Sequence, residues 1–309
     1  MAETQARRSH TALLYHFCRL RWPGVPLPPA DFERHLGRAF DLYRAKRQHE
    51  GQSASWADFV ENLHAPDLFL SAACLEGGER AWEALFASRA SRTESLLVDA
   101  LRMRAVRLFP RDAERQDEAV AEFWGYLLAG ERAGSLPILA RYDGQRPLVP
   151  WLIRVFQNKH LSEMRHDRGR APLPDDLNDG DLRLPGEDHE ERWHDEFRQA
   201  ARDWLARAAD NDVLLLGLRL RYRLSQREVA HLLGIHEGNV SRQTARLRDS
   251  CLEAISAALA EQGWTGDDLS GFVLKEMDGL LLDEPRLAAD RLAALLAARG
   301  KSLKIASSR

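Results

Sequence analysis

The sequence predicts an all-α protein of two or three domains, and three observations lead there. Apolar residues recur at helical spacing through most of the chain, in stretches rich in Leu, Ala, Arg and Glu, whereas alternating apolar strands are scarce. Leu224 to Ile255, LSQREVAHLLGIHEGNVSRQTARLRDSCLEAI, reads as two amphipathic helices about a tight turn. The chain has 309 residues, enough for more than one hydrophobic core.

The first stretch, residues 1–66, reads as a helical extension interrupted at Pro23, Gly24, Pro26, Pro28, Pro29 and Gly51. Asp31 is placed to cap a helix whose Phe32, Leu36, Phe40 and Tyr43 share one side. Trp56, Phe59, Val60 and Leu63 mark a second short amphipathic element. His10, His16 and Cys18 have the chemistry of metal ligands, but no downstream residues complete a set at usable spacing, so no metal or other cofactor is expected.

Residues 67–170 carry the pattern of four helices. The first, from Asp67 to Arg89, breaks at Gly77-Gly78 before Ala81, Leu85 and Phe86 resume its apolar side. The second spans Ser95 to Phe109, with Leu96, Leu97, Ala100, Leu101 and Val106 apolar, and stops before Pro110. Asp112 or Gln116 opens the third, which turns Val120, Phe123, Trp124 and Leu127 inward and Asp117, Glu118 and Glu122 outward. A loop through Gly134, Pro137 and Gly144 leads into the fourth, with Trp151, Leu152, Val155 and Leu161 as core positions and Arg154, Lys159, Arg165, Arg168 and Arg170 making its other side basic.

Residues 171–190 read as an acidic linker, broken by Pro172, Pro174, Gly180, Pro185 and Gly186 and too poor in apolar residues to fold alone. Residues 191–262 form the next domain. Trp193, Phe197, Ala201, Trp204 and Leu205 mark one helix and Leu214 to Leu220 another. Ser225 and Glu228 then form a capping box, Val229, Leu232 and Leu233 give an apolar face, Ala230 allows close helix crossing, and Gly234 ends the helix in a turn. A second helix starts near Glu237 or Gly238, with Val240, Thr244, Leu247, Cys251 and Ile255 inward and Asn239, Ser241, Arg242, Gln243, Arg246 and Arg248 on the opposite side. Asn, Gln and Arg side chains bond base edges, while Ser and Arg bond phosphates, so that face suits a DNA major groove. Residues 263–309 form a C-terminal tail, in which Asp283 is placed to cap a helix with Leu287, Leu292, Leu295 and Leu296 apolar and Gly300 as its stop.

Charge and cysteine usage bound the function. The net charge of −3 hides a basic module: between Val213 and Cys251, Arg219, Arg221, Arg223, Arg227, Arg242, Arg246 and Arg248 face only Glu228, Glu237 and Asp249. Cys18, Cys74 and Cys251 are too few and too scattered for a disulfide framework, which fits a reducing cytoplasm. No apolar run approaches the ~20 residues of a membrane span, and the N-terminus lacks a signal-peptide core.

Taken together, the four-helix pattern and the helix-turn-helix resemble the extracytoplasmic-function sigma factors of bacterial RNA polymerase, within the sigma-70 family. The resemblance to their region 2 rests on Leu139, Tyr142, Gly144, Leu148, Trp151-Leu152, Asn158 and Arg165. That to their region 4 rests on Leu224, Ser225, Glu228, Val229, Ala230, Leu233, Gly234, His236, Glu237, Val240, Ser241, Arg242, Arg246 and Arg248. It implies that Trp151, Asn158, Lys159 and Arg165, with Arg141 and Arg146 on the preceding loop, support or form a surface that opens the −10 promoter element and captures flipped bases. It implies that Asn239, Ser241, Arg242, Gln243, Arg246 and Arg248 contact the −35 element. Asp117, Glu118 and Glu122 would dock on the clamp of the largest polymerase subunit, and the helices before the helix-turn-helix would contact its flap; an anti-sigma protein is a further partner the resemblance allows. The sequence departs from the family at Ala119 and Ala121, where a larger aliphatic residue and Gln are usual, and at Ser162, where Asp is frequent.

The implied function is therefore promoter recognition for core RNA polymerase, by a binding protein without an active site. The alternative is a stand-alone helix-turn-helix regulator that never touches polymerase. A DNA-processing enzyme such as a recombinase would need a carboxylate cluster for metals or a Ser or Tyr nucleophile supported by arginines, and no motif specifies either.

Overall fold

Short-range signals set several of the helix ends, through side-chain caps at Ser55, Asp112, Ser225 and His236. The computed structural model describes residues 2–88, 96–130, 135–167, 187–262 and 284–301, with backbone alone at 2–6, 165–167 and 187–195. Among the described residues there are thirteen α-helices and no strand, and no helix is long and apolar enough to cross a membrane. In chain order these are α1 (Ala2–Arg21), α2 (Pro29–His49), α3 (Trp56–Glu61), α4 (Ala65–Leu75), α5 (Glu79–Phe86), α6 (Leu97–Leu108) and α7 (Ala113–Leu128). They continue as α8 (Leu148–Asp167), α9 (Glu187–Arg207), α10 (Asp210–Leu216), α11 (Gln226–Leu233), α12 (Glu237–Glu261) and α13 (Ala289–Ala298).

The chain divides into two units that do not follow its linear order. One comprises Gly24–Ala54 and Asp67–Arg183, and the other Met1–Pro23, Ser55–Pro66 and Leu184–Arg309. This corrects the expectation of a separate extension over residues 1–66, whose parts are shared between the units because each carries an apolar face that a different core buries. Most of the expected linker, the Trp193 side chain and the expected cap at Asp283 lie outside the described residues.

In the unit holding α2 and α4 to α8, α2 buries Phe32, Leu36, Phe40 and Tyr43 as its periodicity predicts, together with His35 and Ala39. Asp31 is not its cap. Pro28 occupies that position, the helix opens on Pro29, and Asp31 stands in the first turn, 2.7 Å from Arg34. Proline presets φ and lacks the N–H that would need capping. The predicted break falls between α4 and α5, where Gly77 has φ +75°. Asp112 caps α7 by accepting from the Arg115 N–H at 2.9 Å. On α6, Leu97, Ala100, Leu101 and Ala105 are buried whereas Leu96 and Val106 are 41% and 50% exposed. At about 3.6 residues per turn those two positions fall on the far side from the buried set. The buried stripe of α8 is Leu152, Phe156 and His160, with Trp151, Val155 and Leu161 only half-buried at its margin.

One contact fixes where α8 begins. The Asp67 carboxylate, itself buried, accepts a 2.9 Å hydrogen bond from the Leu148 N–H, satisfying an orphan donor of the first turn from 81 residues away. Asp67→Ala should lower the stability of this unit by about 1–3 kcal/mol, the cost of a buried donor left unpaired. A urea titration showing no change would mean that water replaces the carboxylate.

The other unit is built round the helix-turn-helix. Its core takes Phe197, Ala201, Trp204 and Leu205 of α9, Val213 to Leu216 of α10, and Val240, Leu247, Cys251 and Ile255 of α12. The Trp204 indole N–H donates to the Ser250 hydroxyl at 3.2 Å, tying α9 to α12. After α10 the helix widens by one π-turn over Gly217–Arg221. The N-terminal helix then closes the back of the motif: Phe17, fully buried, stacks on the Tyr222 ring at 4.2 Å. Arg221, buried, donates at 3.1 Å to the Val60 and Glu61 carbonyls at the end of α3. Burial pushes the Tyr222 hydroxyl up to about 12. From the C-terminal side, α13 buries Leu292, Leu295 and Leu296 as expected, and Leu287 is buried just before it. Leu292 lies so close to Gly217 that a Cβ there would overlap the leucine side chain, so glycine lets α13 approach the chain just after α10.

Candidate nucleic-acid interface

The helix-turn-helix forms as its local signals predict. The Ser225 hydroxyl accepts from the Glu228 N–H at 3.2 Å, and the Glu228 carboxylate accepts from the Ser225 N–H at 2.6 Å. Gly234 takes φ +67°, and two bonds close the turn, Gly234 N–H to the His231 carbonyl and Ile235 N–H to the Ala230 carbonyl. That pair is a Schellman motif. His236 then caps α12, its Nδ1 accepting from the Gly238 N–H at 3.0 Å.

On α12 the inward residues are Val240, Leu247, Cys251, Ile255 and Leu259. Asn239, Arg242, Gln243, Arg246 and Arg248 are exposed, and Ser241 is half-buried. These six do not form one surface. With about 3.6 residues per turn, Asn239, Arg242, Gln243 and Arg246 stack as successive neighbours at spacings of three and four, whereas Ser241 and Arg248 fall roughly half a turn away. Thr244, expected inward, is half-buried and returns its hydroxyl to the Val240 carbonyl at 2.8 Å. Within the four-residue face, Arg242 donates to the Asn239 side-chain oxygen at 2.6 Å. Arg246 donates to Asp212 of α10 at 3.1 Å. Nothing in the sequence pattern marks Asp212, since its partner is 34 residues away. Arg248 is paired with Asp249 at 3.2 Å.

In the other unit, the loop residues Arg141 and Arg146 are exposed on either side of buried Tyr142, whose hydroxyl donates to the Arg146 carbonyl. Gly144, at φ +76°, lets this loop turn into α8, and the Tyr142 ring leans on half-buried Trp151 at 5.2 Å. Trp151, Arg154 and Asn158 follow one another along α8 at helical spacing, the last two exposed. The Arg165 side chain lies outside the described residues.

Lys159 departs from that face. Its ammonium is 2.7 Å from Glu163 and 3.9 Å from Glu122, and only 11% of the side chain is exposed. Glu118 and Glu122 are in turn held by Arg115 at 2.7 and 3.6 Å. Glu118 and Glu122 of α7 and the cation of α8, expected on two separate surfaces, thus form one network, whereas exposed Asp117 falls on another side of α7. Arg115 and Glu163, the residues that bridge it, were not marked by the sequence because their roles depend on the register between α7 and α8. The partly exposed Arg115 pairs each contribute little stability, but with the Lys159 pairs they cancel charge locally.

The same network reaches a buried histidine. His160 Nδ1 lies 2.9 Å from Glu163, and the ring packs edge-on against Phe156 at 4.7 Å. Burial, reinforced by the Lys159 charge, holds His160 below the ordinary histidine range despite Glu163. Burial also lowers His10, His16 and His35. A histidine with a depressed folded value binds protons less readily than the unfolded chain does. Stability is therefore complete above the unfolded value near 6.5 and falls as pH drops from there to the folded values. Urea midpoints should decline between about pH 7 and about pH 5, before the carboxylates titrate. A flat profile across that range would contradict the burial of these rings.

Comparison with known proteins adds no relative: no family model, curated protein or solved structure matches the chain.

Proposed function

We propose that this protein binds duplex DNA through α11 and α12 and, acting as a sigma factor, brings bacterial core RNA polymerase to promoters. The observation that carries the reading is the face formed by Asn239, Arg242, Gln243 and Arg246 on a helix entered through a capped helix, a left-handed glycine and a second cap. Arg, Asn and Gln are the side chains that bond purine edges in pairs, and the first turns of a recognition helix are where they reach them. Under this reading α12 reads the −35 element, while the Arg141, Arg146, Trp151, Arg154 and Asn158 region holds the opened −10 strand, where stacking and cationic groups are both needed. The polymerase clamp and flap are the protein partners, the cytoplasm is the site of action, and the role is one of binding, with no catalytic residue or cofactor.

One observation favours a second reading, the stand-alone helix-turn-helix regulator. Glu118, Glu122 and Lys159 satisfy one another through Arg115 and Glu163, so little of the α7 acidic face remains for a basic partner.

The two readings separate in one experiment. The purified protein is mixed with bacterial core RNA polymerase, the mixture is resolved by size, and the complex is tested for initiation on promoter fragments from the source genome. Co-migration with promoter-specific initiation is the expected result. Duplex binding without any association with core polymerase transfers the assignment to the regulator.

A further inference from the structure

The C-terminal segment delivers a lysine to the turn of the helix-turn-helix. Helix α13 ends in the same way as α11: Gly300 takes φ +70°, its N–H bonds the Ala297 carbonyl at 2.9 Å, and the Lys301 N–H bonds the Leu296 carbonyl at 3.0 Å. This second Schellman motif reverses the chain and fixes the direction in which Lys301 leaves the helix. The two turns meet. A Cβ placed on Gly234 would lie 3.1 Å from the Lys301 ammonium, so the cation rests against the glycine that separates α11 from α12.

The lysine is held there by a well-anchored helix. Leu292 packs on Gly217, Arg291 pairs with Asp210 at 2.8 Å, and Arg286 donates to the Ala208 carbonyl at 2.8 Å. Arg299 donates to the side-chain oxygen of Asn211, the neighbour of the Asp212 that holds Arg246. Arg291 and Arg299 of the tail and Arg246 of the α12 face are thus tied to three adjacent residues in the first turn of α10. Docking a lysine on a mobile segment costs the ordering of that segment as well as of its own side chain, whereas for one whose backbone is fixed at a motif's turn it costs only the second.

We propose that Lys301 is a backbone-phosphate contact of the DNA interface, contributed by the C-terminal segment and not by the motif itself. The proposal rests on the duplex-binding reading above. A phosphate contact positions the protein without reading sequence, so its loss should weaken every duplex alike and release one fewer counter-ion.

The test uses the full chain and several fluorescent duplexes of unrelated sequence, with binding followed by anisotropy across a salt series. Lys301→Ala should flatten the slope of log affinity against log salt by about 0.9 and weaken binding roughly fivefold to tenfold near 0.1 M salt, the effect of one phosphate. Lys301→Arg should restore both, and Lys301→Glu should weaken binding further. A loss confined to some sequences would overturn the phosphate assignment. So would an unchanged slope in Lys301→Ala when Arg242→Ala still weakens binding, an outcome that leaves the duplex-binding reading standing. If the folded wild type binds no duplex at any salt, the duplex-binding reading falls and takes this inference with it.

Discussion

Replacing Phe17 with Ala should lower the stability of the helix-turn-helix unit by about 3–5 kcal/mol, the range for emptying a buried aromatic site. Phe17 is fully buried and stacks on Tyr222, which stands just ahead of the capping box at Ser225. The adjacent residue Arg221 makes a separate attachment, its guanidinium bonding the Val60 and Glu61 carbonyls at the end of α3. Removing an apolar residue near the N-terminus should therefore loosen helices more than 200 positions later. Native-state hydrogen exchange is the suitable readout, because it reports opening by region. Amides of α11 and α12 should exchange faster in Phe17→Ala. Phe32→Ala, which empties a buried site of α2, should act instead on the unit holding α4 to α8. Equal protection of α11 and α12 in wild type and Phe17→Ala would show that the N-terminal helix is not part of their cooperative unit.

That dependence also shows where the sequence stopped being informative. Capping boxes, left-handed glycines and helical stripes act within a few residues, so Ser225 with Glu228, Gly234, the break at Gly77 and the apolar side of α2 were all legible. The Ser55 and Asp58 capping box at α3 is written in the same code, beyond the apolar spacing of Trp56, Phe59, Val60 and Leu63 that marks the element. Other features depend on which helix meets which. No pattern announces that Phe17 will find Tyr222, that Asp67 will cap α8, or that Lys159 will turn toward Glu122 and Glu163. The candidate DNA face shows both limits at once. Its residues were identifiable by type, but helix geometry separates Ser241 and Arg248 from the other four, and Asp212 joins them only through the tertiary fold.

Arg242→Ala combined with Arg246→Ala should weaken duplex binding at least about thirtyfold, since each base-edge or phosphate contact contributes about 1–3 kcal/mol. The two side chains are one turn apart, so the double variant need not equal the sum of the singles. Loss of affinity alone could come from a disturbed fold, and Asp212 supplies the variant that excludes this. Its carboxylate holds Arg246 at 3.1 Å and competes with a phosphate for that guanidinium. Asp212→Asn removes the competing charge while keeping a hydrogen-bonding side chain, and should strengthen binding about twofold to fivefold, the scale of an exposed ion pair. The predicted gain should fade with added salt, because the competition is electrostatic. Opposite effects from the two ends of one ion pair, at unchanged thermal stability, would tie Arg246 to the DNA directly. If Asp212→Asn weakens binding as Arg246→Ala does, the carboxylate acts as a positioning residue that aims Arg246, and the pair belongs to the bound state as well as to the free one.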